Sequence, residues 1–181
     1  MEQTLPCNDR DILNYEDNRI WADKFLTQQR EILDRNIQYF DFNKVKDKHL
    51  FRIADENSDC TQATDMYMYS IRGLRIALRV RFLNMHTYED ITIRSRTAYN
   101  MKTEIHKIRE GYGDYYLYCW APDGQKITQW VIFDLDKFRN RMDYYLKDVD
   151  IPCGDGTCMT SFDLVKMIND PQGSCVVLYC P

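Results

Sequence analysis

Residues 66–82 read MYMYSIRGLRIALRVRF, and this stretch carries the strongest signal for the fold. Its first part, 66–71, is rich in Met, Tyr and Ile, and Arg72-Gly73 has the composition of a tight turn. Residues 74–82 then alternate apolar with basic side chains, which is typical of a β-strand that buries one face. The stretch therefore predicts two antiparallel strands joined by a short turn.

The alternation returns in ITIRSR at residues 91–96, which predicts a third successive antiparallel strand beside 75–82. Farther out, apolar spacing predicts the remaining elements. These are strands at 114–120, 126–133 and 174–179 and helices within 9–39 and at 102–110, 134–147 and 161–169. The predicted order is α-β-β-β-α-β-β-α-α-β. It indicates an α/β or α+β fold in which helices flank one central mixed sheet.

Composition places the chain among globular proteins. Apolar residues make up 44% and charged residues 29%, which excludes disordered and fibrous classes. The length of 181 residues predicts a single domain spanning 1–181. Within it we expect an N-terminal helical segment (9–39), a core (40–147) and a C-terminal segment that contains cysteines (148–181).

The sequence also predicts the cellular location of the chain. Its first residues, MEQTLPCNDRD, lack the basic and apolar regions of a secretory signal. No apolar run approaches the roughly 20 residues that a membrane-spanning helix needs. We therefore expect a cytoplasmic protein. The net charge of −4 is too small to indicate a DNA mimic or a bulk nucleic-acid binder.

Five arginines form the most informative polar pattern. Arg75, Arg79 and Arg81 lie an even number of positions apart, and so do Arg94 and Arg96, so each set shares one face of its strand. If the two strands pair, the guanidinium groups share one side of the sheet and could bind phosphate or carboxylate groups. The alternative is a solvated face whose arginines pair with neighbouring acids. Those acids are Glu89, Asp90, Glu104 and Glu110.

Four late cysteines raise the question of a metal. Cys153 with Cys158 and Cys175 with Cys180 have the four-residue gaps found in zinc sites. The second pair reads as a strand, however, and an offset of five on a strand sends the two sulfurs to opposite faces. We therefore favour reduced thiols over zinc, and we predict no metal and no cofactor.

The order helix, three strands, helix, strand resembles the core of the PD-(D/E)XK nuclease superfamily over residues 15–135. In that family an Asp at the start of the second core strand precedes an acid-x-Lys triplet on the third. Asp65 matches the first position, whereas Arg79 stands at the second carboxylate and Arg81 at the lysine. The resemblance implies nuclease ancestry with a degenerate site at Asp65. It implies no catalytic residues, because a guanidinium at the second position repels Mg²⁺.

A second resemblance is to type II-A anti-CRISPR proteins of gut-bacterial phages. The segments ATDMYMYSIRGLRIALRVR, DITIRSR and TEIHKIREGYGDYYLYCW carry it. It implies a non-enzymatic inhibitor, encoded by a phage or mobile element, that binds a type II CRISPR effector nuclease with its guide RNA. Contact with DNA or RNA through the arginines is compatible with this role.

Two other hypotheses stay open. One is an active nuclease whose acids come from elsewhere, such as Asp65 with Asp55, Glu56 or Glu104. The other is a DNA-handling protein that binds without cutting.

Overall fold

The computed structural model describes most of the chain. The described residues are 20–41, 50–53, 66–69, 74–81, 90–97, 101–153 and 156–179. Their helices are α1 (Leu26–Arg35), α2 (Glu104–Arg109), α3 (Leu135–Tyr145) and α4 (Leu164–Asn169), with a 3-10 turn at Ile37–Tyr39. Their strands are β1 (Leu50–Ile53), β2 (Met66–Tyr69), β3 (Leu74–Arg81), β4 (Asp90–Arg96), β5 (Tyr115–Trp120), β6 (Gln129–Asp134), β7 (Leu146–Pro152), β8 (Cys158–Asp163) and β9 (Cys175–Tyr179).

The strands form two sheets. The large sheet has six strands in the order β1-β2-β3-β5-β6-β9, and the small sheet has three in the order β4-β8-β7. Strand β3 runs parallel to β5, whereas the other neighbours pair antiparallel. The molecule is therefore α+β, and its large sheet is mixed.

The centre of the large sheet is β5, whose six residues are all buried. Tyr115, Leu117 and Cys119 face one apolar cluster, which also contains Leu33 of α1 and Phe25, the residue just before α1. The side chains that alternate with them face a second cluster, built with the small sheet and with α2, α3 and α4. These side chains are Tyr116, Tyr118 and Trp120. A strand buried on both faces needs a layer on each side, and this arrangement supplies both.

Much of the predicted local structure is confirmed. The strands within 66–71, 74–82, 114–120, 126–133 and 174–179 and the helices within 102–110 and 134–147 are present, with ends moved by a few residues. The predicted helix 9–39 is present as α1 and a helical turn at 20–23, while residues 9–19 lie outside the described part. Gly111 ends α2 with φ of +92°, the left-handed conformation that suits glycine.

The predicted pairing of 91–96 with 75–82 is wrong. Strand β4 pairs with β8 in the small sheet, and the second neighbour of β3 is β5. The physical reason is the burial of β5, because a strand that is apolar on both faces belongs in the interior of a sheet. The prediction of one central sheet fails with it.

The predicted element order is also wrong. Strands β1, β7 and β8 were not predicted, and residues 161–163 belong to β8 rather than to the following helix. The described order is α-β-β-β-β-α-β-β-α-β-β-α-β. In the described part of the chain, no helix combines the length and the apolar character needed to cross a bilayer.

Candidate anion-binding site

Arg75 is held by an acid from the neighbouring strand. Asp114 directly precedes β5, and the parallel register that sets Ile76 opposite Tyr115 brings Asp114 beside Arg75. The Arg75 Nη2 lies 3.1 Å from Asp114 Oδ1, and the Arg75 backbone N–H donates to Asp114 Oδ2 at 2.7 Å. The guanidinium charge at this end of β3 is therefore offset within the molecule.

Arg79 lies between the two sheets in a half-buried ion pair. Its Nη1 donates to Glu104 Oε2 at 2.9 Å, and the Tyr116 hydroxyl donates to the other carboxylate oxygen. About a fifth of each ionic side chain is exposed, at 21% for Arg79 and 20% for Glu104. Burial by itself would lower the pKa of Arg79, but the Glu104 carboxylate and the nearby tyrosines outweigh it and raise that pKa. Arg79 is thus a permanent cation with one fixed carboxylate.

Glu104 reaches Arg79 because the start of α2 is anchored. The Thr103 hydroxyl donates to the Ser95 carbonyl on β4 at 3.2 Å, and the Thr103 N–H donates to His106 Nδ1 at 3.4 Å.

Burial and the Glu104 carboxylate also raise the pKa of Tyr116 well above its usual value, so its hydroxyl remains a donor.

The charge of Arg81 acts on a buried carboxylate of the small sheet. Asp90 is only 5% exposed, and its Oδ1 has no hydrogen-bond partner. Burial raises the pKa of Asp90. The positive charges of Lys147 and Arg81 oppose this shift, and the negative charges of Asp148 and Asp163 add to it. The Arg81 charge is therefore directed toward the small sheet.

Arg94 and Arg96 lie on β4 opposite two sulfur-containing residues of β8. Arg94 is directly across from Met159, and its Nε is buried without a hydrogen-bond partner. Arg96 donates from Nη2 to the Cys158 Sγ at 3.0 Å, and this contact is the main reason that its pKa is raised. Sulfur is a weak acceptor, so both guanidinium groups retain unused donor capacity.

Strands β3 and β4 do not pair as predicted. The sheets that contain them pack face to face, and this packing brings the two strands together. The Arg79 Nη2 reaches Met159 Sδ at 3.8 Å, and Met159 is the cross-strand partner of Arg94. Arg79 and Arg94 therefore converge on one side chain, whereas Arg75 is at the far end of β3. Of the acids predicted as partners, Glu104 pairs with Arg79 as expected, and Glu110 pairs with Lys102 instead.

Three residues of the candidate site depend on pairing between distant strands more than on local sequence pattern. Asp114 and Tyr116 reach the arginines through the parallel register of β3 and β5, and Met159 through β8. The sequence did contain a signal for β8, since the Gly-rich stretch PCGDGT before it is typical of a hairpin turn. The predicted degenerate position, Asp65, lies outside the described residues.

The described cysteines do not converge. Cys153 and Cys158 flank the turn between β7 and β8 in the small sheet, whereas Cys175 begins β9 in the large sheet. Cys180 lies outside the described residues. Among the residues that the structure does describe, no three His, Cys, Asp or Glu side chains are grouped so that they could hold a metal ion.

No model of a known protein family matches the chain, and no curated protein matches it significantly.

Proposed function

We propose that the chain is a phage- or mobile-element-encoded anti-CRISPR inhibitor. It binds a type II CRISPR effector nuclease with its guide RNA in the bacterial cytoplasm and blocks DNA binding or cleavage. The observation that carries the proposal is the Arg79–Glu104 pair. A guanidinium stands where the nuclease resemblance places a carboxylate, and the acid beside it is already bound to that guanidinium. This arrangement favours binding over metal-dependent cutting.

The fold supports a nuclease-like ancestry for this inhibitor. The resemblance counts 66–71, 75–82 and 91–96 as its three strands, whereas four strands, β1 to β4, lie between α1 and α2, and β1 to β3 with α2 and β5 give the same order when β4 is set aside. With β1 included, β2 is the second strand and β3 the third, so Arg79 and Arg81 occupy the strand that the resemblance assigns to the acid-x-Lys triplet. Strand β4 is an addition to that order, since it leaves for the small sheet.

An exposed apolar surface supports a protein partner. Every residue of β7 is exposed, and β7 is an edge strand of the small sheet. We call the following residues of β7 and of the adjoining helices the β7 patch. They are Tyr144, Leu146, Val149, Ile151, Val165 and Ile168. Leu146 lies opposite Phe162 and Ile151 opposite Met159, so the patch exposes apolar groups on both sides of this edge strand. Exposed apolar groups are candidates for contact with a protein partner.

Cations border the same patch. The Arg141 guanidinium lies 4.4 Å from the centre of the Tyr144 ring, and the Lys166 ammonium lies 5.7 Å from it. Tyr and Arg are enriched among residues that dominate binding energy at interfaces. The patch therefore offers both apolar area and positive charge to a partner.

The test is binding of the pure chain to an effector–guide RNA complex. We expect Val149→Asp to weaken binding by about 10-fold or more, because it places a charge on the β7 patch. The matched control is Ile20→Asp, which changes a similarly exposed residue, 61% against 65%, near α1. Equal loss of affinity in both variants would place the interface elsewhere.

A DNA-binding or nuclease-like protein of the PD-(D/E)XK superfamily is the second candidate. The position of Glu104 favours it, because the anchored start of α2 brings this acid to Arg79 on β3. Incubation of the chain with plasmid and Mg²⁺ or Mn²⁺ tests it. Metal-dependent nicking that disappears in Asp65→Ala or Glu104→Gln would favour the nuclease, and retention of uncut plasmid would favour a binding role.

A further inference from the structure

We propose that Arg79 and Arg94 form a binding site for a phosphate group at Met159, between the large and small sheets. Arg94 and Met159 are directly opposed on β4 and β8, so their side chains share one face of the small sheet. The Arg79 Nη2 approaches the same methionine from the large sheet and ends 3.8 Å from its Sδ. Met159 therefore contacts the Arg79 guanidinium from the large sheet and lies directly opposite Arg94 in the small sheet.

The hydrogen-bond donors of Arg79 and Arg94 near Met159 have weak acceptors or none. A thioether is a weak acceptor, so the Arg79 Nη2 has no strong partner at Met159. The Arg94 Nε is buried and has no hydrogen-bond partner. Buried donors without acceptors are costly, and a ligand oxygen would relieve that cost.

The Arg79 side chain is already positioned for such a ligand. Its Nη1 is fixed by Glu104, which is itself held by the Tyr116 hydroxyl. The Nη2 is left pointing at Met159, so little conformational entropy is lost when an anion binds there.

The charge at the site favours an anion. Glu104 offsets Arg79, while the ion pairs of the described residues include no carboxylate for Arg94. The predicted shared face of Arg94 and Arg96 is wrong, because a register shift between them sets Arg96 opposite Cys158, the β8 residue next to Met159, and Arg96 adds positive charge to this end of β4 without facing the site. A phosphate presents several acceptor oxygens to converging guanidinium groups, more than a carboxylate does.

The ligand can reach this site. Arg79, Arg94 and Met159 are all partly exposed, and an unbranched methionine changes rotamer readily. The phosphate could be a free monoester or a diester in a nucleic-acid backbone. The site requires no protein partner, so it stands or falls independently of the inhibitor role, and Ile151 of the β7 patch lies directly opposite Met159 at its border.

The test measures the affinity of the pure full chain for inorganic phosphate by calorimetry and by thermal shift. Acetate at equal ionic strength is the comparison, and a short oligonucleotide is the diester arm. We expect saturable binding of phosphate that weakens by about 10-fold or more in Arg94→Gln. Arg30→Gln, which changes an exposed arginine of α1, should bind as the wild type does.

Met159 supplies a second pair of variants. Met159→Glu places a carboxylate between the guanidinium groups and should abolish phosphate binding while raising the Tm. Met159→Leu keeps the volume and should retain binding. Binding to the oligonucleotide but not to inorganic phosphate would support a backbone diester as the natural ligand.

Three results would overturn the proposal. They are the absence of binding of both inorganic phosphate and the oligonucleotide to the wild type, equal affinity of Arg94→Gln and wild type for the ligand that binds, and equal stabilisation by acetate and phosphate.

Discussion

Single residues at the junction of the two sheets decide what chemistry this fold can perform. Arg79 is committed to Glu104 by its Nη1 at 2.9 Å, and Tyr116 holds the other carboxylate oxygen. A half-buried pair of this kind is costly to break, because removal of one partner leaves the other charge uncompensated. The acid beside β3 is therefore occupied in stabilising an arginine.

Asp90 is the opposite case, a buried carboxylate without a full set of partners. Burial raises its pKa in the folded protein above the ordinary 3.8, despite the opposing charges of Lys147 and Arg81. The folded state then binds the proton more tightly than the unfolded state does. Ionisation of Asp90 consequently costs stability as the pH rises from 3.8 through the folded pKa, and the full cost is present above it.

The prediction is that Asp90→Asn raises the Tm at neutral pH. A gain of about 1 kcal/mol corresponds to roughly 2–4 °C for a chain of this size. The gain should shrink as the pH falls toward 4, because the wild-type carboxyl then becomes neutral too. Thermal unfolding at several pH values measures it.

Asp123→Asn is the control for this prediction. Hydrogen bonds from the Lys126 and Gln125 backbone N–H groups lower the pKa of Asp123, so neutralising it should give no gain. A Tm of Asp90→Asn that stays at or below the wild-type value at neutral pH would contradict the assignment of Asp90 as a destabilising charge.

At the scale of elements, the junction between α2 and β5 fixes Glu104, Asp114 and Tyr116 relative to β3. Two glycines make this turn, Gly111 with φ of +92° and Gly113 with φ of +77°. A Cβ on Gly111 would meet nothing within 4 Å, whereas one on Gly113 would lie 2.6 Å from the Leu135 Cδ1. Leu135 is fully buried in the apolar cluster at the start of α3.

The two glycines therefore make a matched pair of substitutions. Gly111→Ala should cost about 1–2 kcal/mol of unfolding free energy through backbone strain alone. Gly113→Ala should cost that amount and about 1–3 kcal/mol more, because Leu135 must move within the core. Denaturant unfolding measures both, and equal losses would show that the close approach to Leu135 has no energetic consequence.

The elements also show which parts of the fold could be predicted from the sequence. The alternation in 74–82 and the helical spacing in 134–147 are local signals, and both predictions are confirmed, with Asp134 found as the N-cap whose side chain accepts from the Asp136 and Lys137 N–H groups. Strand pairing is not local. The place of β4 depends on β8, which lies more than sixty residues later and was predicted partly as helix.

The candidate site divides in the same way. The alternation of side chains along a strand predicts that Arg79 and Arg81 share one face, and Glu104 is among the acids predicted to pair with the arginines. The partners that depend on register between distant strands, Asp114 and Met159, were not predictable from spacing. Local sequence pattern thus predicts the face of the strand on which a side chain lies, but not the residues that the side chain contacts.

At the scale of the whole molecule, two adjoining features could serve an inhibitor. The arginines at the junction of the sheets offer positive charge, and the β7 patch offers apolar area with cations at its border. Register shifts at Asp148 interrupt the pairing of β7 with β8. Bulges of this kind discourage edge-to-edge association, so the patch is suited to a specific partner more than to aggregation.

The most direct test of the inhibitor role is target-DNA cleavage by a panel of purified type II effector nucleases loaded with guide RNA. With increasing amounts of the chain, cleavage by at least one effector should fall to background near equimolar concentration. Val149→Asp should restore cleavage, and Ile20→Asp should inhibit as the wild type does. Full cleavage by every effector at excess chain, or Mg²⁺-dependent cutting by the chain alone, would contradict the role proposed here.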